Sequence, residues 1–330
     1  MKVSLSRIWS VFCLASVAFG LISNEVEAAN SGVVVTWEGG FHSLPGSATR
    51  SGENEDISFI QNNPKSWSDR VQKDYLKPDV TLPAVIYLHG CSGPRTAQAW
   101  AQDFNGFGFA FFAPNSFARP GRVAKCSYRK KHNKRNRRRI HLQRREELRY
   151  ALQQIKRLPW IDKKRLVLVG FSEGGHAAAA FNGVGFTAHI LLGTDCRTVG
   201  RKPRAPNGVA VLNIVGSKDR YGYGRGCAIR RNIRGSKSVV LRGAGHNIQG
   251  RREAVTAVTK FLNACCGYKP ENATAGLNAD AAAKKLVEEL GGMATFDAMM
   301  KADEALGKGD EKGHAFWMRV YEIATKLSGG

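Results

Sequence analysis

The sequence predicts an α/β protein in which helices cover both faces of a mostly parallel sheet. Short apolar segments typical of buried strands alternate along the chain with segments of helical periodicity. The chain has 330 residues, of which 43% are hydrophobic, so it contains enough apolar material to form such a core. The same composition argues against an intrinsically disordered chain.

The predicted elements follow one another between residues 33 and 263. The predicted strands are 33–37, 83–88, 107–113, 165–169, 188–192, 209–214 and 238–241. The predicted helices of this region are 95–105, 144–158, 172–181 and 251–263. Loops that follow parallel strands meet at one edge of the sheet, so we expect the functional residues at its carboxyl edge.

The first 28 residues predict a signal peptide. Lys2 and Arg7 precede the apolar stretch 8–22, and small residues precede a cleavage site before Ala29. An uncleaved anchor is the alternative, and Cys13 lacks the context of a lipidation site. No later apolar run reaches the 20 residues that a membrane span requires. We therefore expect a secreted or periplasmic protein whose residues 29–268 form the main domain.

A candidate nucleophile follows the predicted strand 165–169. The segment 170–175 reads Gly-Phe-Ser-Glu-Gly-Gly and leads directly into a helix rich in small residues. A serine between glycines at a strand-to-helix turn is typical of a nucleophile elbow, in which the missing Cβ atoms permit a strained turn. The pattern predicts that the Ser172 hydroxyl projects at the sheet edge.

A serine nucleophile requires a base and a carboxylate that orients the base. His246 follows the last predicted strand on a glycine-rich turn, and Asp219 follows the strand before it. The order Ser, Asp, His on successive strand ends favours these two residues. Asp195, after the strand 188–192, is the rival carboxylate, and His176 on the helix after Ser172 is interpreted as a packed residue.

A fourth loop follows the strand 83–88 and reads His-Gly-Cys-Ser-Gly over residues 89–93. In acyl transfer two backbone N–H groups stabilise the developing oxyanion, one from such a loop and one from the residue after the nucleophile. This predicts Cys91 and Glu173 as the donors, with the Cys91 side chain in a structural role. No cofactor or metal is predicted.

These motifs together resemble the dienelactone hydrolase branch of the α/β-hydrolases. The resemblance covers about residues 80 to 265 and rests on 89–93, Pro-Asn-Ser-Phe at 114–117, Leu-Pro-Trp-Ile-Asp at 158–162, the segment 170–175, Asp219 and Gly245-His246. It implies the α/β-hydrolase fold and a serine hydrolase that acts on esters. Two features depart from the family: its named members use a cysteine where this chain has Ser172, and they are cytoplasmic whereas this chain carries a predicted signal peptide.

Six cysteines follow the predicted signal peptide, and six thiols allow fifteen full pairings. Export would place them in an oxidising compartment. The strand order that the resemblance implies brings the loops of Cys91 and Cys126 together, and likewise those of Cys196 and Cys227. The resemblance therefore implies these two disulfides and leaves the partners of Cys265 and Cys266 open.

Residues 269–330 predict a separate helical extension. Beyond Lys269 the chain has ten acidic and seven basic residues, whereas the whole chain carries a net charge of +23. Glycines separate the predicted helices 279–290, 294–306 and 311–327. The last helix has an apolar stripe, Phe316, Val320, Ile323 and Leu327, which we expect to pack against the main domain rather than form a partner surface.

A basic insert spans residues 119–145. Between Arg119 and Arg149 there are fourteen Lys and Arg residues and two acidic ones. One interpretation is a solvated, partly disordered loop. The other is an anion-binding surface near the active site, with Lys134, Arg135, Arg137, Arg138 and Arg139 as its candidate residues. Few aromatic residues lie among the basic ones, which argues against nucleic acid.

Three functions are consistent with the sequence. The first is an exported serine hydrolase that cleaves carboxylic esters through an acyl-enzyme, with anionic esters among its candidate substrates. The second is a polyanion- or surface-binding protein that uses the basic insert on a hydrolase scaffold. The third is a serine peptidase, because amide and ester hydrolysis share this chemistry. A complete set of three catalytic residue types favours an enzyme over a binding scaffold. The sequence contains no large lid or propeller domain that would select peptides, so the peptidase ranks below the esterase.

Overall fold

The structure is a computed structural model that describes residues 41–43, 80–94, 97–119, 121–122, 134–221, 224–230, 232–268, 278–307 and 311–328. The predicted signal peptide and the predicted strand 33–37 lie outside these residues. All the described residues belong to one compact unit. Among them, no helix is long and apolar enough to span a bilayer.

One seven-stranded sheet runs through the molecule. Its strands are β1 (Phe41–Ser43), β2 (Leu82–Leu88), β3 (Ala110–Ala113), β4 (Ile161–Phe171), β5 (Ala188–Leu192), β6 (Ala210–Gly216) and β7 (Lys237–Leu241). They lie in the order β1-β3-β2-β4-β5-β6-β7. Strand β1 pairs antiparallel with β3, and the other neighbours are parallel. The predicted mostly parallel sheet is confirmed.

Seven described α-helices accompany the sheet. They are α1 (Ala97–Gly106), α2 (Lys134–Ile155), α3 (Glu173–Ala180), α4 (Arg252–Cys266), α5 (Ala279–Leu290), α6 (Ala294–Gly307) and α7 (Glu311–Leu327). Short 3-10 helices occupy Ser116–Ala118, Arg197–Val199 and Gly291–Met293. Helices α5 to α7 agree with the C-terminal helices predicted from the sequence.

The core has two halves, one on each face of the sheet. Side chains alternate along a strand, so Ala84, Ile86 and Leu88 of β2 pack with α2 and α3 on one face. Val85 and Tyr87 pack with α1 and α4 on the other face. Both faces of the central strands are therefore buried, as continuous apolar runs predict for parallel strands.

Helix α2 begins earlier than the sequence predicts. The expected helix started at residue 144, but the observed one starts at Lys134 and includes the second half of the basic insert. Arg and Lys have good helix propensity, and burial of this helix begins at Ile140. The first turn and a half therefore extends into solvent without apolar periodicity. The interpretation of residues 134–145 as a partly disordered loop is wrong.

The parallel strands bring their carboxyl ends to one edge. Leu88 of β2 is level with Gly170 of β4, and Phe171 is level with Leu192 of β5. Leu192 is in turn level with Ile214 of β6. The loops that follow these strands therefore begin at nearly the same height, which is the arrangement that a multi-loop site requires.

A buried amide and a disulfide hold two of these loops together. The Asn213 side chain donates to the Leu191 carbonyl at 2.9 Å and to the Thr194 carbonyl at 2.8 Å. Its oxygen accepts from the Cys227 N–H at 2.7 Å and the Ser238 hydroxyl at 2.9 Å. The structure joins Cys227 to Cys196 with an S–S distance of 2.04 Å. The loop after β5 is thereby tied to the loop after β6.

The other cysteines are arranged as follows. Cys91 is disulfide-bonded, and its predicted partner, Cys126, lies outside the described residues. The adjacent Cys265 and Cys266 at the end of α4 are bonded to each other. The sequence alone does not identify the partners of these two cysteines.

The C-terminal helices have a core of their own. Leu286 of α5, Ala298 of α6 and Val320 of α7 are buried together. The predicted stripe of α7 packs mainly here, because Phe316, Val320 and Ile323 contact this cluster. Leu327, the last residue of the stripe, is exposed. Only Phe316 of the stripe also contacts the core of the sheet. The expectation that the stripe packs on the main domain therefore holds for one residue of four.

Removing the disulfide between Cys196 and Cys227 is expected to destabilise the fold. The bond closes a loop with a sequence separation of 31 residues, which corresponds to about 3 to 4 kcal/mol of loop-closure free energy. Urea unfolding of a Cys196→Ala/Cys227→Ala variant measures the loss. The matched control is Cys265→Ala/Cys266→Ala, which removes a bond between adjacent residues and therefore constrains almost none of the chain. Equal stability of the first variant and the unaltered protein would contradict the prediction.

Candidate active site

Ser172 occupies the turn between β4 and α3. Its backbone has φ 53° and ψ −112°, a conformation that non-glycine residues rarely adopt. The turn is held by the Ser172 N–H, which donates to the Leu192 carbonyl at 2.8 Å, and by the His176 N–H, which donates to the Ser172 carbonyl at 3.0 Å. Such strain costs about 1–3 kcal/mol and persists only where the surroundings enforce it.

Two glycines permit this turn because the backbone passes very close to itself. A Cβ on Gly174 would lie 1.9 Å from the carbonyl oxygen of Leu88. A Cβ on Gly170 would lie 2.4 Å from the carbonyl oxygen of Gly174. Any side chain at either position would force the strand and helix apart. The structure thus explains on steric grounds why the motif has glycine at these two positions.

The structure brings Ser172, His246 and Asp219 together in one line of hydrogen bonds. His246 Nε2 lies 3.0 Å from Ser172 Oγ, and His246 Nδ1 lies 2.6 Å from Asp219 Oδ2. Asp219 Oδ1 accepts from the Tyr221 N–H at 2.8 Å, which fixes the carboxylate. Ser172 and Asp219 are buried, whereas 15% of the His246 side chain is exposed.

Aromatic rings position the imidazole of His246. The Tyr221 ring lies 4.4 Å from it and the Phe171 ring 5.0 Å, measured between centroids. Gly193 approaches the same imidazole, since a Cβ there would lie 3.3 Å from His246 Cε1. Packing therefore restricts the ring to the orientation in which Nε2 faces Ser172.

The rival carboxylate, Asp195, has a different partner. Its Oδ1 accepts from the Arg197 N–H at 3.1 Å, and its Oδ2 forms an ion pair with the Arg197 guanidinium. Both oxygens are thus taken by Arg197. Asp219 is the carboxylate that contacts His246.

The two predicted oxyanion donors belong to segments on either side of Ser172. Glu173 is the first residue of α3, so its N–H has no acceptor four residues earlier within the helix. The loop that carries Cys91 is adjacent, because a Cβ on Gly90 would lie 3.4 Å from Ser172 Cβ. The Gly93 N–H donates to the Gly90 carbonyl at 3.2 Å and closes this loop as a turn. The position of Cys91 in that turn is compatible with its predicted role.

A buried ion network lies behind both donor segments. The Arg144 guanidinium donates to the His89 carbonyl, lies 3.4 Å from Glu147 Oε2 and lies 3.8 Å from Glu173 Oε1. The Glu173 carboxylate also pairs with Arg122. Arg144 is fully buried and Glu147 almost so. One guanidinium thus connects the start of the Cys91 loop with the side chain of the other donor residue.

Hydrogen bonds from Ser116 complete this network. Its hydroxyl donates to Glu147 Oε1 at 2.9 Å and accepts from Arg122 Nε at 2.8 Å. Its backbone N–H donates to His89 Nε2 at 2.9 Å. The network therefore also includes the loop after β3. Helix α2 and the segments that follow β2, β3 and β4 are thus joined by one set of contacts.

Burial changes the acidity of this network. It raises the pKa of the Glu147 carboxyl, an effect that Arg144 and the Ser116 hydroxyl partly offset. It lowers the pKa of the Arg122 guanidinium, and Glu173 partly offsets that change. Two guanidinium groups and two carboxylates occupy the network, so their charges balance when all are ionised. Because desolvation opposes such groups, their contribution lies in geometry rather than in stability.

His176 lies beside the site with a fixed, uncharged ring. Its Nδ1 lies 2.9 Å from Thr194 Oγ1 and 3.2 Å from Thr198 Oγ1. Burial, together with the nearby His141 and Arg197, lowers the pKa of His176 to about 3. The imidazole is therefore neutral near pH 7, and its contacts are those of the packed histidine that the sequence predicted.

The predicted anion-binding residues lie on two faces of α2. Arg135, Arg138 and Arg139 line one cavity. Arg137 is on another face, close enough to His141 and His176 to lower the pKa of both rings. The Lys134 side chain is outside the description. Within the described part of the chain, no group of His, Cys, Asp and Glu side chains is arranged to hold a metal ion.

Sequence reasoning missed Arg122, Arg144 and Glu147. A signal for two of them exists, because Arg144 and Glu147 precede Leu148 and Ala151 on the apolar face of α2. Charged residues on a buried face require partners. That pattern indicates a polar network, although it does not identify the loops to which the residues bind.

No protein-family model matches the sequence, and the comparison with curated proteins finds no match. Solved structures similar to this one include the esterase PE8, at 16% identity and a TM-score of 0.41, with 56% of this chain and 93% of that chain covered. A second is an esterase from Thermogutta terrifontis, at 17% identity and a TM-score of 0.34, with 57% and 82% covered. A third is a dienelactone hydrolase-like promiscuous phosphotriesterase from metagenomic libraries, at 18% identity and a TM-score of 0.37, with 64% and 85% covered.

The assignment of the fold follows from features of this chain. The strand order β1-β3-β2-β4-β5-β6-β7 and the strained serine between β4 and α3 are those of the fold that the sequence motifs predict. The chain therefore has the α/β-hydrolase fold, and dienelactone hydrolase-like proteins are among the solved structures similar to it.

Proposed function

We propose that this protein is an exported serine hydrolase that cleaves carboxylic esters through an acyl-enzyme. One observation carries the proposal: the continuous hydrogen bonding from Ser172 through His246 to Asp219 on a strained strand-to-helix turn. A buried serine in this setting has a base for its proton, and that base has a fixed tautomer. Export rests on the sequence of residues 1–28 alone.

In the proposed reaction Ser172 Oγ attacks the acyl carbon while His246 Nε2 accepts its proton. The N–H groups of Cys91 and Glu173 stabilise the oxyanion. The C–O bond to the alcohol breaks, and His246 returns the proton to the departing oxygen. Water then attacks the acyl-enzyme, gives a proton to His246 and releases the acid, and Ser172 regains its proton. Asp219 holds Nδ1–H throughout and stabilises the imidazolium.

The same machinery cleaves amides, so a peptidase is the nearest alternative. Peptide p-nitroanilides compared with p-nitrophenyl esters of the same acyl group distinguish the two activities. If the protein is an esterase, kcat/KM for the ester should exceed kcat/KM for the anilide by more than the difference in intrinsic reactivity between the two bonds. A preference for the anilides would identify a peptidase.

Replacing Ser172 by alanine is expected to abolish catalysis. The variant retains the fold but has no nucleophile, so turnover of p-nitrophenyl acetate should fall by at least about a thousandfold. Labelling by a fluorophosphonate probe should disappear as well. Ser328→Ala, which changes an exposed serine in the C-terminal region, is the matched control. Full activity in the Ser172 variant would refute the assignment.

Asparagine substitutions distinguish the two carboxylates. Asp219→Asn should reduce kcat by about a hundredfold to ten-thousandfold, because the amide no longer stabilises the imidazolium or selects its tautomer. Asp195→Asn should leave kcat within about threefold, since that residue pairs with Arg197. Steady-state kinetics with p-nitrophenyl acetate measure both. The reverse order of effects would make Asp195 the catalytic carboxylate.

Arg144 is expected to act as a positioning residue. Arg144→Met removes the link between the His89 carbonyl and Glu173, so the oxyanion donors lose their alignment. We expect kcat to fall by about ten- to a hundredfold with little change in KM. A boronic acid that mimics the tetrahedral intermediate should lose affinity in proportion to kcat.

Stability must be measured alongside, because a carboxylate left unpaired in the core costs about 3–5 kcal/mol. Arg144→Lys keeps the charge but not the forked geometry, so it should restore folding more than kcat. Unchanged kcat in the folded fraction of Arg144→Met would refute the positioning role.

A further inference from the structure

An arginine-lined cavity lies on the outer face of α2. Its volume is about 740 Å³, and seven residues line it: Arg119, Arg135, Arg138, Arg139, Leu142, Gln143 and Glu146. Four guanidinium groups thus face one carboxylate. The catalytic mechanism proposed above uses none of these residues.

Two of the arginines are held in place by the protein. The Arg119 side chain is mostly buried and bonds Glu146 at 2.6 Å and the Gln143 carbonyl at 3.3 Å. Arg139 Nη2 donates to the Gly121 carbonyl at 2.7 Å. Arg119 and Gly121 are thereby held against the helix. These contacts fix one wall of the cavity before any ligand binds, which lowers the entropy lost on binding.

The other two arginines are exposed and carry uncompensated charge. Arg135 and Arg138 have no hydrogen bond or ion pair with any residue that the structure describes. They lie in the first two turns of α2, whose first turn contains no acidic residue. The helix dipole adds positive potential at this end. The cavity therefore combines a fixed wall with two guanidinium groups that have no partner among the described residues and can bind an anion.

The cavity is near the catalytic edge of the sheet. Helix α2 ends at Ile155, shortly before β4 begins at Ile161, so the start of α2 lies toward the opposite, carboxyl end of the strands. Arg135 and Arg139 precede Arg144 by nine and five residues, or about 14 and 8 Å along the helix axis. Arg144 contacts Glu173, the residue after Ser172. One extended molecule can reach both places.

The lining also indicates the kind of anion. Guanidinium groups bind carboxylates, phosphates and the similarly shaped sulfates through paired hydrogen bonds. No described lining residue is aromatic, so bases have no stacking platform here. Leu142 is the sole apolar side chain among the described lining residues, which is too little to insert into a bilayer. These properties favour a hydrophilic polymer over single-stranded nucleic acid or a membrane.

We propose that this cavity is a secondary binding site for an acidic polysaccharide, a polymer whose repeated carboxylate or sulfate groups contact Arg135 and Arg138. The inference rests on the ester hydrolase function proposed above and extends it to the substrate. The ester that Ser172 cleaves is attached to such a polymer. The cavity would hold the chain while an ester group some sugar units away enters the catalytic site.

Binding is measured first, in the Ser172→Ala background, so that the result does not depend on catalysis. Polygalacturonate and heparin are titrated at several salt concentrations. With Arg135→Ala/Arg138→Ala the affinity should fall at least tenfold for one of them, and the slope of log K against log salt should decrease by up to about two. The matched control, Arg230→Ala/Arg234→Ala, removes the same charge from exposed positions elsewhere and should change affinity less than twofold.

Three outcomes would overturn the site. The first is unchanged binding in the cavity variant. The second is an equal loss of affinity in both double variants, which would show that only net charge matters. The third is tighter binding of single-stranded DNA or anionic vesicles than of either polysaccharide. The link to catalysis is tested with Ser172 restored, on methyl-esterified polygalacturonate. The cavity variant should lose about tenfold in kcat/KM relative to the control variant. Equal rates would overturn that link, and so would an unaltered enzyme that cleaves p-nitrophenyl acetate but not this polymer. An unaltered enzyme that binds the polymer but cleaves neither ester would refute the ester hydrolase function and leave the site standing.

Discussion

The candidate site depends on how closely two backbone segments approach each other behind Ser172. The start of α3 lies against the end of β2, where Gly174 leaves no space for even a methyl group beside the Leu88 carbonyl. This contact holds the strand-to-helix turn in its strained conformation and places the serine hydroxyl outside the sheet edge. The positions of His246 and Asp219 matter only because the nucleophile is presented in this way. The catalytic arrangement therefore requires that position 174 be a glycine.

The network around Arg144 extends the same constraint to the neighbouring loops. Burying two guanidinium groups and two carboxylates is costly. Replacing such a network by apolar residues often leaves stability unchanged, but apolar side chains form no directional bonds to the His89 carbonyl and the Glu173 side chain. The network makes several loops adopt one arrangement together. The same helix bears this network on its inner face and the arginine-lined cavity on its outer face, so α2 connects the two sites proposed for this protein.

Much of this arrangement can be predicted from the sequence, at positions where the local sequence pattern favours the structure that the fold adopts. Helices α5 and α7 have the predicted ends, and Asn278 caps α5 by accepting from the Asp280 and Ala281 N–H groups. The sequence also places Ser172, Asp219 and His246 after β4, β6 and β7, and the structure brings their side chains into contact. The three-residue strand β1 escapes prediction because so short a segment shows no periodicity. The early start of α2 and the partners of Arg144 depend on contacts between distant segments, which no local pattern records.

Asn213 illustrates a different constraint, because few other residues could replace it at this position. Its amide uses both N–H groups and accepts twice, and the four partners come from three separate segments of the chain. Aspartate has the same shape but no N–H to donate, and leucine would leave every partner unsatisfied in the core. Glutamine is one methylene too long for a side chain wedged between a strand and two loops. The position is therefore closed to ordinary substitution even though it takes no part in catalysis, and any variation in the loops it joins must leave those four backbone and side-chain groups where they are.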